Sequence, residues 1–175
     1  PFLPAHEVLR EDFADYLGEV QAFDAALGVL LDELARIGQL ENTLILFLSD
    51  NGASAESGPT GFTGARGGDP KARTGTPNSY NSFGIAGANL CDTPFRKFKM
   101  FAHEGGIATP LLAHWPDGIP QELNGSITRQ MGHVIDLLPT CTDLAGVSYP
   151  AQHAGNDVTS VAGRSLRPVL TGGNL

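Results

Sequence analysis

Three observations predict an α/β layered fold. Apolar residues recur at helical spacing from Glu11 to Ile37, Thr43 to Leu48 is apolar on both faces, and a second apolar run covers Thr109 to His114. Strands apolar on both faces belong to the interior of a parallel or mixed sheet that helices cover on both sides. The order helix, strand, long loop, strand, helix supplies only a few strands, so one incomplete domain is expected across residues 1–175.

The first helix is marked by Phe13, Tyr16, Leu17, Val20, Phe23, Leu27, Leu30, Leu31 and Leu34. Gly38 follows as the C-terminal stop, and Arg36 suits the negative end of the helix dipole. After the strand at Thr43 to Leu48 the texture changes. Ala53 to Leu90 is rich in Gly, Ser, Thr, Asn and Pro, and so long a connection in a compact domain is expected beside a functional site. Thr109 to His114 is expected as a buried strand ended by Trp115-Pro116. Ser126 to His133 is expected as a short strand or extended segment. A helix beginning near Ile135, with Pro139 in its first turn, closes at Gly146. Ser148 to Leu175 is loop-like.

Composition excludes several classes of function. A formal charge of -8 over 175 residues does not favour a nucleic-acid or anionic-membrane surface, because phosphate attraction needs clustered Lys and Arg. No segment approaches the ~20 apolar residues that span a bilayer. The two cysteines, Cys91 and Cys141, have neither a disulfide framework nor a zinc spacing and are expected as free thiols in or near the core.

Two groups of residues carry the candidate chemistry. Asp50-Asn51-Gly52 ends the first strand. Asn-Gly is a strong hairpin signal, but the following "ASAESGPTGFTG" is a poor returning strand. A carboxylate and an amide oxygen side by side at a strand end are also suitable hard ligands for Ca²⁺ or Mg²⁺. The second group is Lys99 with His103 and Glu104. Lys99 lies between Phe98 and Met100, either snorkelling from an apolar segment or presenting its ammonium to an anion, and the chain then turns through Gly105-Gly106.

The blocks "LENTLILFLSDNG", "TPFRKFKMFAHEGGIATPLLAHWP" and "HVIDLLPTCTDLAGV", with the lead helix and "GRSLRPVLTG", resemble the type I sulfatases, the arylsulfatase A-like branch of the alkaline phosphatase superfamily. The resemblance implies part of an alkaline phosphatase-like α/β/α sandwich with a mostly parallel central sheet. It implies a hydrolase of sulfate esters with one bound Ca²⁺, acting on a sulfated small molecule or sulfated glycan in a secreted, periplasmic or lysosomal setting. Asp50 and Asn51 match two of the metal ligands. Lys99, five residues before Glu104, matches the contact to the substrate sulfate, with His103 a weaker catalytic candidate. The family nucleophile is a formylglycine made within Cys/Ser-x-Pro-x-Arg. That signature does not occur here; "CDTPFR", Cys91 to Arg96, has one residue too many before Pro94. His6 lies too close to the first helix to match the family's histidine. The chain is therefore expected to be an internal segment of a sulfatase, inactive without the remainder of the sulfatase chain. Alternatives are a phosphodiesterase or phosphonate hydrolase of the same superfamily, or a non-catalytic α/β domain binding an anion or partner.

Overall fold

The computed structural model describes residues 3–56, 58–59, 61–63 and 68–175, and the side chains of residues 3–9 and of residue 63, His6 among them, lie outside the described residues. Helix α1 spans Leu3–Arg36, longer at its start than the apolar periodicity indicates. Its end is as expected: Gly38 adopts φ +67° and donates its N–H to Ala35 O at 3.0 Å. Strand β1 is Ile45–Leu48 and β4 is Leu111–His114, and the two form a two-stranded sheet. Between them come β2 (Phe62–Thr63), β3 (Asn81–Ser82), α2 (Gly84–Cys91) and the single turn α3 (Glu104–Ile107). Beyond β4 lie a 3-10 turn at Val134–Asp136, α4 (Leu137–Leu144), the antiparallel pair β5 (Gln152–His153) and β6 (Asn156–Asp157), and α5 (Arg167–Leu170). Among the described residues no helix is long and apolar enough to cross a membrane.

The fold is mixed α/β with small sheets, and several expectations change, the tail from Ser148 carrying β5, β6 and α5 where only loop is expected. The long connection is not wholly irregular: β2 and β3 pair antiparallel, Phe62 opposite Ser82, and stack the Phe62 and Tyr80 rings 5.9 Å apart. The apolar run ending at His114 is a strand but not a buried one. All four residues of β4 are exposed, Leu112 to 63%, because the sheet has only one other strand and leaves β4 uncovered. Of the two forms expected for Ser126 to His133, the strand does not occur.

The chain folds as two compact units. The first takes the chain up to Leu34 together with Phe47–Leu112. Phe13, Tyr16 and Phe83 gather there, Tyr16 meeting Phe83 edge-on at 5.5 Å, and Phe23 packs on Phe47 at 5.7 Å. Ala88 of α2 is fully buried.

The second unit takes Ala35–Leu46 and Ala113–Leu175. Polar side chains tie its tail to α4. Asp136, 5% exposed, accepts the N–H of His133 at 2.8 Å and of Arg164 at 2.9 Å. Thr140, fully buried, donates its hydroxyl to Asp136 O at 2.6 Å and accepts Leu166 N–H at 2.8 Å. Without Thr140 the Leu166 N–H would be an unpaired donor in a buried place. The Ser165 hydroxyl on Asp143 at 2.6 Å, and then Arg167 at 3.3 Å, hold the Asp143 carboxyl below the usual carboxylate range. Gly146 closes α4 as expected, at φ +65° with its N–H on Asp143 O.

Candidate functional site

The site candidates all fall in the first unit. The chain leaves β1 through Ser49 and turns at Asp50-Asn51-Gly52. The turn is pinned from both sides: Ser49 Oγ donates to Asn51 O at 2.7 Å, and Thr109 Oγ1 donates to Ser49 O at 2.8 Å. No strand pairs back immediately after Gly52, so the hairpin reading of Asn-Gly does not hold.

Two backbone hydrogen bonds join this turn to the segment carrying Lys99. Gly52 N–H donates to Gly106 O at 3.1 Å, and Lys99 N–H donates to Ala53 O at 3.1 Å. The approach is so close that a Cβ on Gly52 would fall on the Gly105 carbonyl. A Cβ on Gly105 would in turn fall on the carbonyl of Lys97. Glycine is required at both places for the two loops to touch, whatever φ they adopt. The Lys99 loop is itself tightly folded. Gly105 N–H reaches Arg96 O at 3.0 Å, Gly106 N–H reaches His103 O at 2.7 Å, and Lys97 and Met100 carry positive φ of 68° and 82°.

Asp50 is exposed and Asn51 half-buried at the strand end. The Asp50 carboxylate has no hydrogen-bond or ion-pair partner among the described residues, while Asn51 Nδ2 donates to Gly52 O at 3.3 Å and leaves Oδ1 as the acceptor. A carboxylate and an amide oxygen fit part of a calcium shell, which takes about 6 to 8 oxygens. No group of three or more His, Cys, Asp or Glu placed to hold a metal occurs among the described residues. Lys99 is half-buried, and its ammonium has no ion-pair partner among the described residues. The neighbouring Lys97 instead places its Nζ 4.7 Å over the Phe101 ring. Phe101 packs edge-on against Phe98 at 5.1 Å and against the exposed His103 at 6.1 Å. His103 stands at the N-terminal end of α3, and its side chain makes no capping bond there.

One participant has no local signal in the sequence. Asp92 accepts Ala53 N–H with both carboxylate oxygens, at 3.1 and 3.2 Å, across 39 residues. The adjacent Cys91 thiol is pushed up by burial and then by the Asp92 charge, a hydrogen bond with Tyr16 working the other way. Burial also raises the Tyr16 hydroxyl, with Cys91 and Asp92 adding to it. Cys91 is half-buried and Cys141 is exposed rather than in the core. A cleft of about 170 Å³ opens beside the turn, lined by Ser54, Glu56, Phe62, Tyr80, Asn81 and Ser82 among others.

A family model described as Sulfatase matches residues 2–147. The chain belongs to the sulfatase family. This sulfatase chain is 32% identical to an uncharacterised sulfatase of Schizosaccharomyces pombe, covering 85% of this chain and 28% of the relative. It is 32% identical to human arylsulfatase A, over 93% of this chain and 24% of the relative. It is 30% identical to the dog N-acetylgalactosamine-6-sulfatase, over all of this chain and 26% of the relative. The chain thus spans about a quarter of the length of these curated relatives. Among solved structures it is similar to BT4656 in complex with its substrate D-glucosamine-2-N,6-O-disulfate, with a TM-score of 0.55 and 28% identity over 91% of this chain and 23% of that one. The sulfatase chain shares that alkaline phosphatase-like α/β fold.

Proposed function

We propose that the complete protein hydrolyses sulfate esters, with Asp50 and Asn51 contributing two ligands to a calcium site and Lys99 binding the sulfuryl group. Family membership supports the reaction class. The observation that supports the residue roles is the pair of backbone bonds, Gly52 to Gly106 and Lys99 to Ala53. These hold an oxygen-rich turn and an uncommitted lysine together on rigid backbone.

The chemistry of each group follows. A sulfate ester carries a negative charge on its sulfuryl oxygens, and that charge repels an attacking nucleophile. Calcium at the Asp50-Asn51 turn, when bound, would neutralise part of that charge. The Lys99 ammonium adds a second cation from the chain itself, on a residue whose backbone is held to Ala53. His103, the weaker catalytic candidate, is exposed, with its ring 6.1 Å from that of Phe101. A formylglycine of the family's type would supply the nucleophile; its Cys/Ser-x-Pro-x-Arg signature does not occur in these 175 residues.

The substrate is a sulfated small molecule or glycan. The BT4656 complex, with a disulfated sugar, supports including sugars. The test is a panel of sulfate esters, 4-nitrophenyl sulfate and monosaccharide 6-sulfates, set against bis(4-nitrophenyl) phosphate as a phosphodiester. The complete enzyme is expected to release sulfate from at least one ester at a kcat/KM above that for the diester. Hydrolysis of the diester alone would replace this reading with that of a phosphodiesterase.

A further inference from the structure

We infer that Asp92 is a positioning residue for the cation and sulfate site, acting through Ala53; the inference rests on the proposed roles of Asp50, Asn51 and Lys99. Ala53 is the shared hinge. Its N–H is held by both oxygens of Asp92, at 3.1 and 3.2 Å, and its carbonyl accepts Lys99 N–H at 3.1 Å. One residue earlier, Gly52 is fastened to Gly106. The peptide following Asp50-Asn51 is therefore fixed on one side by a carboxylate and on the other by the lysine's own backbone.

The position of Asp92 favours this role over that of a helix cap. Asp92 is the C-cap of α2, with its own N–H on Ala88 O. A carboxylate there faces the negative end of the helix dipole, where a cation is favoured and an anion is not. Among the described residues it has no ion-pair partner to offset that cost. Its compensation is the two-centre, charge-assisted bond to Ala53. Removing the carboxylate leaves the half-buried Ala53 N–H without its partner and frees the turn that bears Asp50 and Asn51. The negative charge, held at the N–H of Ala53 two residues after Asn51, also adds to the field that favours a cation. Outer carboxylates that orient ligands in this way commonly govern metal affinity.

The experiment compares wild type, Asp92→Ala, Asp92→Asn and Thr140→Val in the complete enzyme. Two quantities are read: the calcium concentration giving half of the calcium-induced rise in melting temperature, and kcat/KM for the best sulfate ester. Asp92→Ala is expected to raise the calcium midpoint and lower kcat/KM by about tenfold or more. Asp92→Asn keeps one oxygen for Ala53 and falls between it and wild type. Thr140→Val breaks a buried bond to Leu166 far along the chain, so it lowers the melting temperature without moving the calcium midpoint. A wild-type midpoint and kcat/KM in Asp92→Ala overturns the inference. So does an equal shift in Thr140→Val, which would reduce Asp92 to a general structural role. A wild-type enzyme that releases sulfate but shows no calcium-induced shift overturns the Asp50-Asn51 assignment together with this one. Absence of sulfate release overturns the sulfatase reading itself.

Discussion

Replacing Lys99 with alanine in the complete enzyme is expected to lower kcat/KM for a sulfate ester by about 10²–10³-fold, the scale on which losing one charge-stabilising donor reduces turnover. The reason is local. Lys99 is half-buried between Phe98 and Met100, and its ammonium is not spent on a carboxylate among the described residues. The adjacent Lys97 is engaged elsewhere, its Nζ lying 4.7 Å over the Phe101 ring. Lys99→Arg is expected to recover only part of the loss, since a planar guanidinium does not reproduce a compact ammonium at the same point. Steady-state kinetics of the two variants beside wild type decide this, with circular dichroism to confirm the fold. A Lys99→Ala enzyme at wild-type kcat/KM removes the lysine from the site.

Replacing Asp50 with asparagine is expected to weaken calcium binding by about 10²-fold, because calcium affinity follows the charge count of its oxygen ligands. The substitution keeps an oxygen and the side-chain volume and removes one negative charge. Asp50 is exposed and forms no bond to a described residue, so the fold is expected to stand unchanged. The effect on affinity is thereby separated from an effect on stability. Calorimetric titration of calcium into the chelated enzyme measures it directly. An unchanged affinity places the cation elsewhere.

The sequence made α1, β1, α4 and their stops legible because each is marked by periodicity or by glycine at positive φ. Gly38 and Gly146 adopt the left-handed conformation that the pattern requires. The strand-end position of Asp50-Asn51-Gly52 is legible too, since "ASAESGPTGFTG" offers no immediately returning strand. Other features depend on partners distant in sequence. An apolar run reads as buried whether or not another element covers it, and β4 is uncovered. Helix α2 contains Gly84, Gly87 and Asn89 and has no amphipathic stripe, so it merged into the preceding loop. The tail reads as loop because it buries only Leu166 and Leu170 around the single turn α5 and is otherwise held by Asp136 and Thr140 accepting backbone N–H groups. The hold of Asp92 on Ala53 crosses 39 residues and has no sequence pattern at all.

In the proposed site one oxygen-rich turn and one lysine, fastened through Gly52, Ala53 and Gly106, serve a calcium-assisted sulfate ester hydrolysis. The most direct measurement is free sulfate released by the complete enzyme from its best ester, before chelation, after chelation, and after calcium is restored. Release is expected to fall on chelation and return with calcium in the wild type, and to stay low in Lys99→Ala at every calcium concentration. Sulfate release that chelation leaves untouched, in an enzyme shown by calorimetry to be free of calcium, would contradict it.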